Sequence, residues 1–184
     1  MTSNYTVTVL GLGAMGLPMA TRLASQLTVH GFDIAEARLD LAAAAGIKTF
    51  STAREASEGA DALLLAVRNG EQLNDVLFGE NGVAPVLKPG AVVILGSTVG
   101  TEAIPATVEK LAEYGVELVD APLSGGPKRA GEGDLLIVVG AFAGGGAGLV
   151  AMGLAALAFF AGTLVERWLF FAEARHAVMA YYGR

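Results

Sequence analysis

Apolar and polar positions follow two alternating periods along the first 140 residues. Short β-branched or aliphatic runs predict strands, and Ala- and Leu-rich stretches with apolar residues at helical spacing predict helices between them. The predicted strands are residues 5–10, 27–32, 47–50, 62–67, 91–95, 116–119 and 135–139. The predicted helices are residues 15–25, 35–45, 72–78 and 101–114, with a further short helix capped by Ser51 or Thr52. Strands that alternate with helices indicate an α/β fold on a mostly parallel sheet.

The pattern changes after residue 140. Residues 141–165 carry no charged side chain, and charged and aromatic residues follow up to residue 184. We therefore predict a domain at 1–140 and an apolar helical tail at 141–184. An uncharged stretch of this length can cross a bilayer, although it is rich in Gly and Ala. Three interpretations of the tail stay open: a membrane anchor, which is not favoured, a helix that packs on a partner, and a truncated or mis-read C-terminus.

Composition excludes several classes of function. The net charge of -6 argues against nucleic acid as a partner, because phosphate backbones require clustered Lys and Arg. The chain has no Cys, so it has no thiolate nucleophile and no Cys-based metal site. His30 and His176 lie far apart in sequence, and no metal is predicted. The N-terminus has no basic residue before Arg22, unlike a secretory signal, so a cytoplasmic location is expected.

The strongest motif is G-x-G-x-x-G at Gly11 to Gly16, directly after the first predicted strand and at the start of a helix. In this context Gly11 permits a tight turn, Gly13 lets the backbone approach a pyrophosphate, and Gly16 lets the helix pack close to the strand. The free N–H groups and the positive end of the helix dipole would face the phosphates. We therefore predict a dinucleotide site.

Asp33 is the expected partner of this loop. It lies 22 residues after Gly11, at the end of the second predicted strand, where a carboxylate accepts hydrogen bonds from ribose hydroxyls. A carboxylate there would repel a 2′-phosphate, and the nearest Arg along the chain is Arg38. NAD is favoured over NADP.

With these features the chain resembles the β-hydroxyacid dehydrogenase family, which includes 3-hydroxyisobutyrate dehydrogenase, tartronate semialdehyde reductase and threonate dehydrogenase. The resemblance lies in the stretches Gly11 to Ala20, Gly96 to Val99, and Asp120 to Pro127 followed by Gly133 to Leu135. It covers the cofactor domain and implies a Rossmann-type doubly wound fold. The family's helical second domain has no counterpart in the 184 residues.

The resemblance also implies roles for individual positions. Cofactor contacts are expected at Gly11, Leu12, Gly13, Ala14, Met15, Gly16, Asp33, Val67, Arg68, Gln72 and Thr98. Val67 and Arg68 would flank the adenosine and its ribose. Gln72 would lie on the nicotinamide side, and Thr98 near the nicotinamide ribose. The substrate carboxylate would be held by Ser124, Gly125 and Gly126.

Three charged residues depart from the family's pattern. Lys128 and Arg129 stand where small or apolar residues are usual. They could help to hold an acid substrate, although solvated surface charges are the favoured interpretation. Arg68 stands at a position that is often Pro, and could reach a cofactor phosphate or point to solvent.

The family's general acid/base is a Lys on a helix that follows the Rossmann domain, in a G-x-x-x-K-x-x-N pattern. No Lys follows Lys128, so no catalytic residue is assigned. The implied reaction is reversible oxidation of a small 3-hydroxy acid to its semialdehyde or keto acid, with weak or no turnover by this chain. The alternatives are a catalytically silent NAD-binding module and a membrane-anchored nucleotide-binding protein. Self-association into a homo-oligomer stays open.

Overall fold

The fold is built on a parallel sheet of six strands, seen in a computed structural model that describes residues 5–100 and 102–137. Across the sheet the strand order is β3-β2-β1-β4-β5-β6. The strands are β1 (Thr6–Leu10), β2 (Thr28–Phe32), β3 (Lys48–Thr49), β4 (Ala62–Leu65), β5 (Val92–Leu95) and β6 (Glu117–Asp120). This is a Rossmann-type α/β fold, as predicted.

Helices follow the strands along the chain. They are α1 (Gly16–Ala24), α2 (Glu36–Ala44), α3 (Ala53–Ser57), α4 (Gly70–Phe78), a 3-10 helix (Ala84–Val86), α5 (Ala103–Ala112) and α6 (Gly126–Glu132). Thr52 caps α3, because its side-chain oxygen accepts a hydrogen bond of 3.1 Å from the Glu55 N–H. Thr101, the first residue of the predicted helix at 101–114, lies outside the described residues.

Both faces of the sheet are covered, as the continuous apolar run of β4 predicts. Successive strand residues point to opposite faces, and all of β4 is buried. Leu63 and Leu65 belong to one hydrophobic cluster, together with Leu73 of α4. Leu64 belongs to a second cluster, with Met19 of α1. The two clusters enclose the sheet and hold the carboxyl ends of its strands in a fixed arrangement.

The last predicted strand differs from the expectation. Its described part, β8 (Leu136–Ile137), pairs antiparallel with β7 (Leu123–Ser124) in a separate sheet of two strands. The periodicity correctly marks extended backbone but does not encode the pairing partner. Between β7 and β8, Gly125 and Gly126 adopt positive φ and turn the chain into α6. The α6 helix then packs on α1, and β8 lies outside the main sheet.

Predicted features also fall outside the described residues. The tail at 141–184, with its three interpretations, is one of them, and so are residues 138–139 of the last predicted strand. Within residues 5–100 and 102–137, no helix is both long and apolar enough to span a bilayer.

Candidate functional site

The glycine loop between β1 and α1 is held close to the neighbouring backbone. Gly11 has φ +95 and donates its N–H to the Phe32 carbonyl oxygen at 2.9 Å. A Cβ on Gly11 would lie 2.7 Å from the Ala66 carbonyl oxygen, and a Cβ on Gly16 would collide with the Gly11 carbonyl oxygen. The fold therefore requires glycine at both positions, for the turn and for the close approach of helix and strand, as the motif predicts.

Gly13 differs from these two glycines. A Cβ built on it would meet no atom within 4 Å, and its φ is not in the left-handed region. Among the described residues, no hydrogen bond uses the N–H groups of Gly13, Ala14 or Met15, and α1 begins without a side-chain cap. The loop therefore presents free donors and open space at the positive end of a helix dipole, which suits an anion.

Asp33 lies just beyond β2 and contacts the glycine loop directly. Its Oδ2 accepts a hydrogen bond of 2.7 Å from the Leu12 N–H, and its Oδ1 accepts one of 2.9 Å from the Ala35 N–H. A carboxylate has about four acceptor sites, so further hydroxyl donors can still bind.

A cavity of about 390 Å³ opens beside this carboxylate; we call it the Asp33 cavity. It lies where the loops after β1 and β4 diverge, which is the point where open α/β sheets bind ligands. Its polar and charged side chains are those of Asp33, Arg38, Arg68 and Gln72. Its apolar wall includes Phe32, Ala53, Val67, Val76 and the side chain of Ile34, which is 84% exposed. Sequence reasoning missed Ile34, although an apolar residue directly after the carboxylate that is predicted to bind the ribose was a usable signal.

Gln72 lies in the Asp33 cavity and also organises the loop after β4. Its Oε1 accepts a hydrogen bond of 2.9 Å from the Arg68 N–H. Its own N–H donates at 2.9 Å to Oδ1 of Asn69, which caps α4. The described contacts of Gln72 therefore fix the backbone of Arg68, which lines the same cavity as Asp33. The predicted role of Gln72 on the nicotinamide side stays a prediction.

A second cavity of about 530 Å³ also borders the glycine loop; we call it the Ser124 cavity. It brings the predicted substrate residues, Ser124, Gly125 and Gly126, together with Gly13, Ala14, Met15 and Gly16. Gly125 and Gly126 have φ +134 and +72, so the loop depends on residues without a side chain. Two predicted sites that are far apart in sequence thus share one cavity.

Ser97 also lines the Ser124 cavity, whereas the neighbouring Thr98, predicted as a cofactor contact, is exposed and lines neither cavity. Both lie in the loop after β5. The role of Thr98 stays a prediction, and Ser97 is the residue of this loop that sequence reasoning missed. Asp120, at the end of β6, is partly buried, and that burial raises its pKa.

Lys128 and Arg129 of α6 do not line either cavity. The Lys128 side chain is 88% exposed and lies 4.0 Å from the Glu132 carboxylate, one helical turn away. Arg129 pairs with Asp134 at 2.9 Å. These contacts favour the interpretation of solvated surface charges.

The chain with this arrangement matches a known protein family. Residues 6–153 match the family described as the NAD binding domain of 6-phosphogluconate dehydrogenase.

The chain belongs to this family.

The proteins to which this chain is similar include hydroxyacid dehydrogenases. L-threonate dehydrogenase of Pectobacterium atrosepticum is 39% identical over 139 residues, which cover 74% of this chain and 46% of the relative. 2-(Hydroxymethyl)glutarate dehydrogenase of Eubacterium barkeri is 34% identical over 142 residues, which cover 77% of this chain and 47% of the relative.

A solved structure agrees with these relatives. The structure of 3-hydroxyisobutyrate dehydrogenase of Mycobacterium tuberculosis with L-serine superposes with a TM-score of 0.71 at 30% identity, over 84% of this chain and 51% of that one. The chain therefore spans about half the length of the relatives it matches. The resemblance stated from the motifs is confirmed, and the nicotinamide dinucleotide class of cofactor follows from the family.

Proposed function

We propose that this chain binds NAD as the cofactor domain of a 3-hydroxyacid dehydrogenase. The observation that carries the proposal is the glycine loop. It combines open space over Gly13 with the N–H groups of Gly13, Ala14 and Met15, which donate to no acceptor among the described residues. A pyrophosphate supplies negatively charged oxygens that accept from such donors, and its approach requires the space that a side chain would fill. The residues present therefore fit the phosphates of a dinucleotide.

The preference for NAD over NADP rests on Asp33. Its carboxylate lies in the Asp33 cavity and keeps acceptor sites for ribose hydroxyls. A 2′-phosphate at the same place would meet a like charge, which disfavours NADP. Arg38 and Arg68 also line this cavity and work against that repulsion. In this proposal the carboxylate sets the preference, because its hydrogen bonds hold it at the carboxyl end of β2.

The substrate in this proposal is a small 3-hydroxy acid. The loop of Ser124, Gly125 and Gly126 offers a hydroxyl and unhindered backbone N–H groups to a carboxylate. It lines the same cavity as the glycine loop, so a carboxylate held there would lie beside the cofactor. The nicotinamide, when bound, would supply the hydride acceptor and donor for reversible oxidation of the hydroxyl group.

We propose weak or no turnover by the 184 residues alone. Proton transfer to and from the substrate oxygen needs a positioned acid/base. The resemblance assigns that role to a Lys that follows the Rossmann domain, and no Lys follows Lys128 in the 184 residues. The same observation favours a second candidate, a catalytically silent NAD-binding module. The two candidates share cofactor binding and differ in their dependence on a hydroxy acid.

The test is direct titration of the purified chain with NADH and with NADPH, followed by nicotinamide fluorescence and calorimetry. We expect NADH to bind, and NADPH to bind at least about tenfold more weakly because of the like charge at Asp33. Absence of NADH binding would overturn the proposal. Equal affinities would overturn only the preference for NAD.

A second arm adds small hydroxy acids to the NADH complex and assays oxidation with NAD. Tighter NADH binding in the presence of an acid supports the dehydrogenase. Indifference to every acid supports the silent module. Steady-state oxidation by this chain would contradict the expectation of weak turnover.

A further inference from the structure

The amide of Leu12 is buried and needs an acceptor. The Leu12 side chain is fully buried in the cluster that contains Val9 and Met19. Burial of the residue keeps water from its backbone, and a buried N–H without a partner is destabilising. Its partner is Oδ2 of Asp33, at 2.7 Å, which is 21 residues away in sequence.

The same carboxylate also orders its own side of the cleft. Oδ1 accepts from the N–H of Ala35, two residues further on, at 2.9 Å. This is a local turn of the kind that Asp side chains form with their own backbone. One carboxylate therefore joins the loop after β1 to the turn after β2, beside the backbone bond from Gly11 to Phe32.

We propose that Asp33 is a positioning residue for the glycine loop, through Leu12, independently of any contact with the ribose. The inference rests on the proposed function as far as dinucleotide affinity is concerned. In this arrangement the negative charge strengthens the bond to the Leu12 N–H, since hydrogen bonds to an ionised acceptor are stronger than neutral ones. The bond fixes Leu12, which directly precedes Gly13, and so positions the loop N–H groups that begin at Gly13.

The contact between Asp33 and Leu12 also limits a change of cofactor preference. Replacing Asp33 with a small residue removes the repulsion of a 2′-phosphate, and it also removes the acceptor of Leu12. A change of preference to NADP therefore needs a new acceptor for that amide. Substitution at position 33 alone therefore weakens binding of NAD, and for NADP the loss of the Leu12 contact offsets the relief of repulsion.

The test uses the full chain with Asp33→Ser, and Asp40→Ser as the matched control. The introduced hydroxyl can still cap the Ala35 N–H, but it is one bond too short to replace the contact with Leu12. Asp40 lies exposed on α2, and its substitution removes the same charge away from both cavities. The probes are NADH and the NADH analogue whose adenosine ribose carries neither hydroxyl.

The analogue separates the two roles of Asp33, because it has no ribose hydroxyl for the carboxylate to bind. We expect Asp33→Ser to bind the analogue about tenfold or more weakly than the unsubstituted chain does, and Asp40→Ser to bind it normally. Loss of the carboxylate also relieves repulsion of the diphosphate, which alone would tighten binding. Equal or tighter binding of the analogue by Asp33→Ser would overturn the proposal.

Amide hydrogen exchange tests the contact without any cofactor. We expect protection of the Leu12 amide to fall about tenfold or more in Asp33→Ser, while the Leu64 amide in β4 keeps its protection. Unchanged protection of Leu12 would overturn the proposal. If the unsubstituted chain does not bind NADH, the proposed function fails, and the exchange measurement still decides whether Asp33 holds the loop.

Discussion

Gly13→Ala is the substitution that most sharply separates binding from folding. A Cβ at this position meets no atom within 4 Å, and the backbone is outside the left-handed region. A methyl group therefore fits the cofactor-free protein without strain. The same methyl group would occupy the space that the proposed function gives to a pyrophosphate.

The magnitudes follow from this geometry. Gly→Ala at a permitted φ stabilises by about 0.4–1 kcal/mol, because the unfolded chain loses conformational freedom. For a domain of this size, that raises Tm by about 1–4 °C. We expect affinity for NADH to fall at least about tenfold, which corresponds to a loss of only about 1.4 kcal/mol. Displacing a phosphate from its backbone donors removes more than that, since hydrogen bonds to charged groups contribute about 1.5–3 kcal/mol each.

Gly16→Ala is the matched comparison in the same loop. Its Cβ would collide with the Gly11 carbonyl oxygen, which is backbone and cannot rotate away. Overpacking of this kind destabilises by about 1–3 kcal/mol or more. We therefore expect a lower Tm together with weaker binding, the opposite sign of stability change from Gly13→Ala.

The assay is thermal unfolding of both variants without cofactor, combined with calorimetric titration with NADH. Two results would refute the reasoning. One is a Gly13→Ala variant that binds NADH as well as the unsubstituted chain. The other is a Gly13→Ala variant that is destabilised as much as Gly16→Ala, because protein atoms would then fill the space that the reasoning leaves open for a ligand.

Three further predictions concern charged residues. Hydrogen bonds from Lys88 and from the Thr6 N–H lower the pKa of Asp61. The ionised carboxylate therefore stabilises the fold above pH 3.8, its ordinary pKa, and this stabilisation is lost as pH falls through the lowered pKa. Asp61→Asn should reduce stability at pH 7 by about 0.5–1 kcal/mol, a small effect because solvent screens the ion pair with Lys88. A loss of stability that is the same at every pH between 2 and 7 in chemical denaturation would contradict this. Burial raises the pKa of Asp120, so Asp120→Asn should raise Tm at pH 7 and not below pH 3.8, the ordinary value. A gain that persists in acid would contradict the burial argument. Lys128→Ala should leave NADH affinity unchanged and should change stability by no more than about 0.5 kcal/mol, because the ion pair of Lys128 is exposed. A tenfold change in titrated NADH affinity would place Lys128 in the site.

The local pattern was sufficient for the sheet and for the glycine loop. Five of the six strands of the large sheet, all except β3, contain buried residues, and periodicity reports burial directly. The motif works for a similar reason. Gly11 and Gly16 each lack a side chain because backbone atoms occupy its place, which is a constraint that any sequence with this turn must satisfy.

Features that depend on contacts between distant residues were not predictable in the same way. Nothing in the sequence states that the Asp33 carboxylate accepts from Leu12, because that contact exists only once β1 and β2 are paired. The antiparallel pairing of β8 with β7 depends on two positive-φ glycines and on the docking of α6. Ser97 and Thr98 are chemically similar neighbours, and only the fold distinguishes the one that lines the Ser124 cavity.

The packing of α6 on α1 explains how two loops from opposite ends of the domain come to share a cavity. The α1 helix begins at the glycine loop, and α6 begins at the loop of Ser124 to Gly126. Ala130 of α6 is buried in the cluster that contains Met19 of α1, and a Cβ on Gly131 would touch Pro18 at 3.7 Å. Small residues on α6 thus allow the two helices to approach closely, with their N-terminal ends at one cavity. The position of the proposed substrate loop is therefore set by α1, which directly follows the N–H groups proposed to bind the phosphates. A displacement of α1 would move both halves of the proposed site together.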